Sequence, residues 1–189
     1  IAERSDDEDD AEETIERLEE ALETVREAGN RKATAMVSNV LGEKLRSRGM
    51  VDEAREHYTR AMRLYESHGR SEALICRMNL ALLELSADDD DRVAELISSA
   101  EDEIEEAGME YLLVYQHLIQ ALLDVRDGDG ERALEEIDEA RELIEETEQA
   151  DEDVRSLATA LREEALGKGL DEVVSHAENL IGDEQDDSE

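Results

Sequence analysis

The sequence predicts an all-α chain of about nine antiparallel helices stacked pair on pair as a repeat solenoid. Three observations carry this. Proline, tryptophan and phenylalanine are absent and 2% of the 189 residues are aromatic, too little to build a β-sandwich or an α/β core. With 39% hydrophobic and 40% charged residues, the chain suits many amphipathic helices in a thin layer. One position, Ala21, Ala61, Ala100 and Ala140 and then Leu180, recurs at steps of 40, 39, 40 and 40.

The elements follow in order. The first stripe is Thr14, Leu18, Ala21 and Val25, and the second is Ala54, Tyr58, Ala61 and Tyr65. The third is Val93, Ile97, Ala100 and Ile104, and the fourth is Ala133, Ile137, Ala140 and Ile144. The last keeps Val173, Ala177 and Leu180. Spacings of four, three and four place each set on one face of a helix. Gly29, Gly69 and Gly108 follow the first three stripes, with Glu148 at the matching place in the fourth, and these glycines are expected to close the helices in the left-handed conformation. Asp10, Asp52, Asp91 and Asp129 stand ahead of the stripes, where carboxylates can accept free backbone amides.

Between these helices lies a second set, opening near Arg31, Ser71, Met109 and Asp151. The first of them carries Ala33, Val37, Leu41 and Leu45; the fourth carries Val154, Ala158, Leu161 and Ala165. Gly49, Gly128 and Gly167/Gly169 punctuate their ends, while the acidic run from Ala87 to Asp91 replaces the glycine in the second copy. The chain thus alternates two kinds of helix.

Leu41–Gly42 form a large-small pair suited to a close helix crossing, and Asn79, Leu80 and Ala81 repeat it. Gly49, Asp52, Glu53 and Ala54 make a turn and a small opening residue, followed by Tyr58 and Ala61. On these residues, the segment from Ala35 to Gly69 resembles a tetratricopeptide repeat. The step near 40 exceeds the usual spacing of about 34, so the chain resembles the long-repeat branch found in kinesin light chains, polarity adaptors and some bacterial regulators. The signature tryptophan and the closing proline are missing. The resemblance implies a right-handed α-α superhelix over residues 10–182, with the first helix of each pair lining a concave, peptide-binding face. Residues 1–9 read as an acidic N-terminal segment, with Ile1 to Arg4 as the end of a missing helix or, alternatively, a bare first helix acting as a cap. Residues 183–189 read as an acidic tail.

Charge is the loudest compositional signal. The net charge is −36, from 56 acidic residues against 17 arginines and three lysines. Such self-repulsion opposes a compact state in dilute salt and is screened at molar salt, where the Debye length falls to about 3 Å. The balance resembles that of proteins from salt-accumulating halophiles. The acids lie on every helix, which favours that reading over a nucleic-acid mimic. Direct nucleic-acid binding, which wants clustered cations, is not expected. No apolar run is long enough to cross a bilayer and no signal-peptide pattern opens the chain, so a cytoplasmic location is expected.

Catalytic constellations are absent, and the chain is not expected to be an enzyme. His57, His68, His117 and His176 are scattered, with no pair at the spacing of a helical metal site. The acidic turns at 88–91 and 127–129 lack the glycine and glutamate offsets of an EF-hand loop, and no glycine-rich phosphate loop is present. No metal or cofactor is expected. The lone Cys76, in an apolar stretch, reads as a buried structural thiol.

The expected function is a protein-interaction scaffold that takes a peptide or amphipathic helix in the concave groove. The two central first helices are the most apolar, with ten of 13 residues from Ala73 to Leu85 and 11 of 15 from Tyr111 to Val125. Burial on both sides explains this; so does a hydrophobic groove of Ile75, Met78, Leu82, Leu85, Tyr115, Leu118 and Leu122. By family pattern, Asn39, Glu43 and Arg46 continue that face as a polar rim, with Arg46 for an acidic ligand group. The lysine clamp of the chaperone-binding branch is absent. The alternatives are a regulatory or sensor module of a larger signalling or transcription protein, and a homo-oligomerisation module forming a homodimer.

Overall fold

The computed structural model describes residues 6–66, 69–98, 100–147 and 151–181, apart from the side chains of residues 6–11, 70 and 181. The expectations for Ile1 to Arg4, His68, Glu148 and the acidic tail lie outside the described residues. All regular structure among the described residues is helical, and the chain divides into two compact units, Ile1–Asp89 and Asp90–Glu189. Each is treated by itself.

The first unit holds α1 (Asp6–Glu27), α2 (Arg31–Ser47), α3 (Val51–Tyr65) and α4 (Arg70–Ser86). Short turns join them, each helix packs on the next in the chain, and α2 also meets α4. The second unit holds α5 (Asp90–Ile97), α6 (Ala100–Ala107), α7 (Tyr111–Asp127), α8 (Gly130–Thr147), α9 (Glu152–Lys168) and α10 (Asp171–Ile181). Here α7 packs against α5, α6, α8 and α9, while α10 packs on α8 and α9. This is the repeated helix-pair arrangement of a tetratricopeptide-like fold.

The repeating stripes are the core. Ala54, Tyr58, Ala61 and Tyr65 of α3 are buried, as are Ala133, Ile137 and Ala140 of α8 and Val173 and Ala177 of α10. Their small members let helices approach closely. A Cβ built on Gly42 of α2 would lie 2.8 Å from two ring carbons of Tyr58, a side chain with no exposed surface. The large-small pair at Leu41–Gly42 is therefore the place where the Tyr58 ring lies against the α2 backbone.

Helix closure repeats as well. Gly29, Gly49, Gly108, Gly128 and Gly169 all have φ between +66° and +83°. In each case the following residue donates its N–H five residues back, as Asn30 does to Val25 (3.0 Å) and Asp129 to Asp124 (2.8 Å). Asp88 takes the same role with φ +57°, Asp89 reaching back to the Glu84 carbonyl at 3.0 Å. The acidic run does replace a glycine, at the cost of a strained backbone.

Four expectations change. Gly69 has φ −155° and precedes α4 as its N-cap rather than closing α3 in the left-handed form. Room explains it: a Cβ there would meet Glu72 Oε2 at 2.7 Å and the Tyr65 ring at 3.1 Å. Thr14 is exposed and Leu22 is the buried anchor of α1, because among the described helices α1 packs on α2 alone and buries a narrower face. The third stripe is carried by two helices, α5 and α6, which makes ten helices among the described residues. Ser98 ends the first, bonding its Oγ to the Glu95 carbonyl at 3.1 Å and so competing with the helix ladder. Of the four expected capping aspartates, Asp129 caps, accepting from Arg132 N at 3.2 Å; Asp10, Asp52 and Asp91 already lie inside helices. Asp151 and Asn30 cap the first helices, accepting from Val154 N (3.0 Å) and Ala33 N (3.1 Å).

Candidate protein-binding face

In the first unit, α2 and α4 lie side by side and join their polar residues. Asn39 Nδ2 donates to Glu43 Oε1 at 2.7 Å within α2. From α4, Asn79 Nδ2 donates to Asn39 Oδ1 and Glu43 Oε1, both at 3.2 Å. The two asparagines stand 40 residues apart, one repeat step, so the repeat itself places an amide beside an amide. All three side chains are half-buried. One turn before Asn39, Met36 is 55% exposed, far more than an unbranched apolar side chain needs to be in a packed bundle. Ile75 and Val40 are half-buried nearby in sequence, and Arg46 is half-buried in the last turn of α2.

The expected hydrophobic groove divides between the two units. Met78, Leu82 and Leu85 of α4 are buried, and so are Tyr115, Leu118 and Leu122 of α7, none more than 8% exposed; Ile75 is half-buried. Six of the seven expected groove residues are thus buried, and the seventh is half-buried. Sequence reasoning missed Met36 and the role of Asn79. The signal for Asn79 was its place as one of three polar residues in an otherwise apolar stretch from Ala73 to Leu85.

A second polar feature lies on the other side of α4. Glu84, 2% exposed, accepts a two-pronged hydrogen bond from Arg55 of α3, Nε to Oε1 and Nη2 to Oε2, each at 2.7 Å. Arg55 also reaches Asp52 at 2.7 Å, and its bond to Glu84 raises its pKa well above the ordinary guanidinium value. One repeat later the corresponding carboxylate is Asp124, 3% exposed. It accepts from Gln120 Nε2 at 3.1 Å, lies 3.8 Å from Arg132, and leaves Oδ2 without a hydrogen bond. Burial pushes its pKa upward.

The remaining chemistry-bearing groups have structural settings. Cys76 is 1% exposed, and burial pushes its thiol up to about 12, so it stays protonated and unreactive. His117 Nδ1 is 2.7 Å from Glu136, and His176 Nδ1 is 3.2 Å from Asp138. Burial and then the charge of Arg60 lower the pKa of His57. Among the described residues no three His, Cys, Asp or Glu side chains converge on a metal-sized site, and no helix is long and apolar enough to cross a membrane.

Among curated proteins, none matches this chain. The tetratricopeptide repeat family model matches residues 7–67, the stretch that runs from α1 past the end of α3 and contains the Gly42–Tyr58 crossing. That match supports a tetratricopeptide family for the chain, and tetratricopeptide repeats generally are non-catalytic scaffolds that mediate contacts between proteins.

Proposed function

We propose that the chain is a protein-interaction scaffold whose α2–α4 face takes an extended or helical peptide. The observation that carries the reading is the hydrogen-bonded set Asn39, Glu43 and Asn79 beside the exposed thioether of Met36. Side-chain amides can exchange their mutual bonds for bonds to a peptide backbone, and a flexible Met adapts to varied apolar side chains. Arg46 supplies a cation at the edge. A random peptide display library panned on the immobilised chain tests this. Enriched peptides should lose at least about tenfold in affinity to Met36→Glu and to Asn79→Ala, with circular dichroism unchanged. No enrichment over a blank surface, or full binding by both variants, refutes it.

The charge balance supports a setting for this scaffold: the cytoplasm of a salt-accumulating cell. A net charge of −36 on 189 residues opposes folding in dilute buffer and is screened by molar salt. Helicity and cooperativity should therefore rise with KCl; an unfolding curve indifferent to salt contradicts this setting.

A further inference from the structure

Charge is not evenly distributed. Residues 30–78 hold ten of the 20 basic residues but six of the 56 acidic ones, a balance of +4 in a chain of −36. The other 140 residues therefore carry −40. Five of these ten cations line the α2–α3 surface of the first unit. Two depressions there share a wall at Leu64. One, of about 320 Å³, is lined by Arg31, Lys32, Tyr65, Gly69 and Glu72. The other, of about 520 Å³, is lined along α3 by Arg55, Glu56, Thr59, Arg60 and Arg63.

Some of these cations already have work. Arg55 is held by Glu84 and Asp52, and Lys32 lies 3.4 Å from Glu72. Arg31, Arg60 and Arg63 are exposed and make no ion pair among the described residues. In a chain with nearly three carboxylates for each cation, three such arginines around one leucine form an unmatched positive patch.

We propose that this patch docks a carboxylate-rich segment of a partner polypeptide, with Arg31, Arg60 and Arg63 meeting its acids above Leu64. Charge complementarity selects the occupant. Arg60 and Arg63 lie about 4.5 Å apart along the helix axis, a spacing that suits neighbouring carboxylates on a short segment. A nucleic-acid strand outruns so small a patch, and the rest of the chain, at −40, offers its phosphates no further cationic excess. A second copy of the chain brings −36 of its own to the encounter. A short acidic segment brings the least repulsion from outside the patch, whether the Debye length is about 8 Å at ordinary ionic strength or about 3 Å at molar salt. The residues differ from those of the α2–α4 face, so the two readings stand or fall separately.

The test uses the full chain and a short fluorescent peptide rich in glutamate, with binding followed by anisotropy at two KCl concentrations. Wild type should bind saturably and more weakly as salt rises. Arg60→Glu/Arg63→Glu should bind about tenfold more weakly or worse, while Arg155→Glu, a charge reversal on α9, should bind as wild type does. Because both arginines are exposed, circular dichroism should show the double variant folded; if it is not, Arg60→Gln/Arg63→Gln takes its place with the same expected loss. Absence of saturable binding overturns the proposal, and so does equal loss in the α9 variant. Tighter binding of an oligothymidylate overturns it in favour of phosphate recognition. A wild-type dimer in sedimentation that the double variant loses overturns it in favour of self-association.

Discussion

Replacing Gly42 with alanine places one methyl group against the face of a buried ring. Its Cβ would stand 2.8 Å from two Tyr58 carbons and 3.1 Å from a third, whereas carbon atoms in contact prefer about 3.5–4.0 Å. Tyr58 has no exposed surface, so the ring cannot swing into solvent. Either it leaves its rotamer or α2 and α3 separate, and overpacking of this kind costs about 2–3 kcal/mol. Alanine is the better helix former by about 1 kcal/mol, which offsets part of the loss. The net expectation is a destabilisation of about 1–2 kcal/mol, or a fall in the melting temperature of the first unit of very roughly 4–16 °C. Gly167, inside α9 with nothing within 4 Å of an added Cβ, provides the matched control. Gly167→Ala has the propensity gain without the clash and should stabilise by about 0.5–1 kcal/mol. Thermal and urea unfolding by circular dichroism read both. Equal or greater stability of Gly42→Ala would refute the close crossing of α2 and Tyr58.

Three further outcomes follow from the same packing. Arg55→Met strands Glu84 in the core; because Arg55 is itself about a third exposed, the expected loss is about 2–3 kcal/mol, at the low end for a broken buried pair, and Arg55→Met/Glu84→Met should recover much of it in urea titrations. Asp88→Gly relieves a left-handed aspartate and should raise the unfolding free energy by about 0.5–1 kcal/mol, read as a higher urea midpoint; no gain would contradict a strained Asp88. Two titratable groups should contribute to the acid response in opposite senses. His57 titrates below its ordinary 6.5 in the fold, so the stability it contributes is present above that pH and lost as pH falls through and below it. Asp124 is raised above 3.8, so its contribution is greatest when it is protonated and is lost as pH rises through its folded value. Asp124→Asn should therefore stabilise the second unit at neutral pH relative to wild type, with the difference vanishing in acid. A constant difference across pH would show that Asp124 is not a penalised carboxylate.

The repeat was legible because it rests on short-range rules. A small residue every 40 residues keeps each stripe narrow, and a glycine after a helix marks a left-handed closure that few other residues tolerate. Gly69 broke the rule because a glycine also serves where a side chain would collide, and spacing does not separate the two uses. The break after Ile97 was written in Ser98, whose hydroxyl competes for a helix carbonyl, but the apolar stripe ran straight across it. The binding face was less legible. A helix apolar on all sides looks the same whether a neighbour or a ligand covers it, and six of the seven groove candidates turned out to be buried. The Arg55–Glu84 pair was hidden because its partners are 29 residues apart among 56 acids. Its trace was a single carboxylate inside the apolar run from Ala73 to Leu85.

The central claim is that the α2–α4 face receives a peptide, and amide hydrogen exchange on the full chain with and without a display-selected peptide tests it most directly. Slowed exchange should concentrate in Arg31–Ser47 and Arg70–Ser86, and Asn79→Ala should abolish it at the same peptide concentration. Protection confined to α7 and α9, or protection that Asn79→Ala leaves intact, would contradict the account.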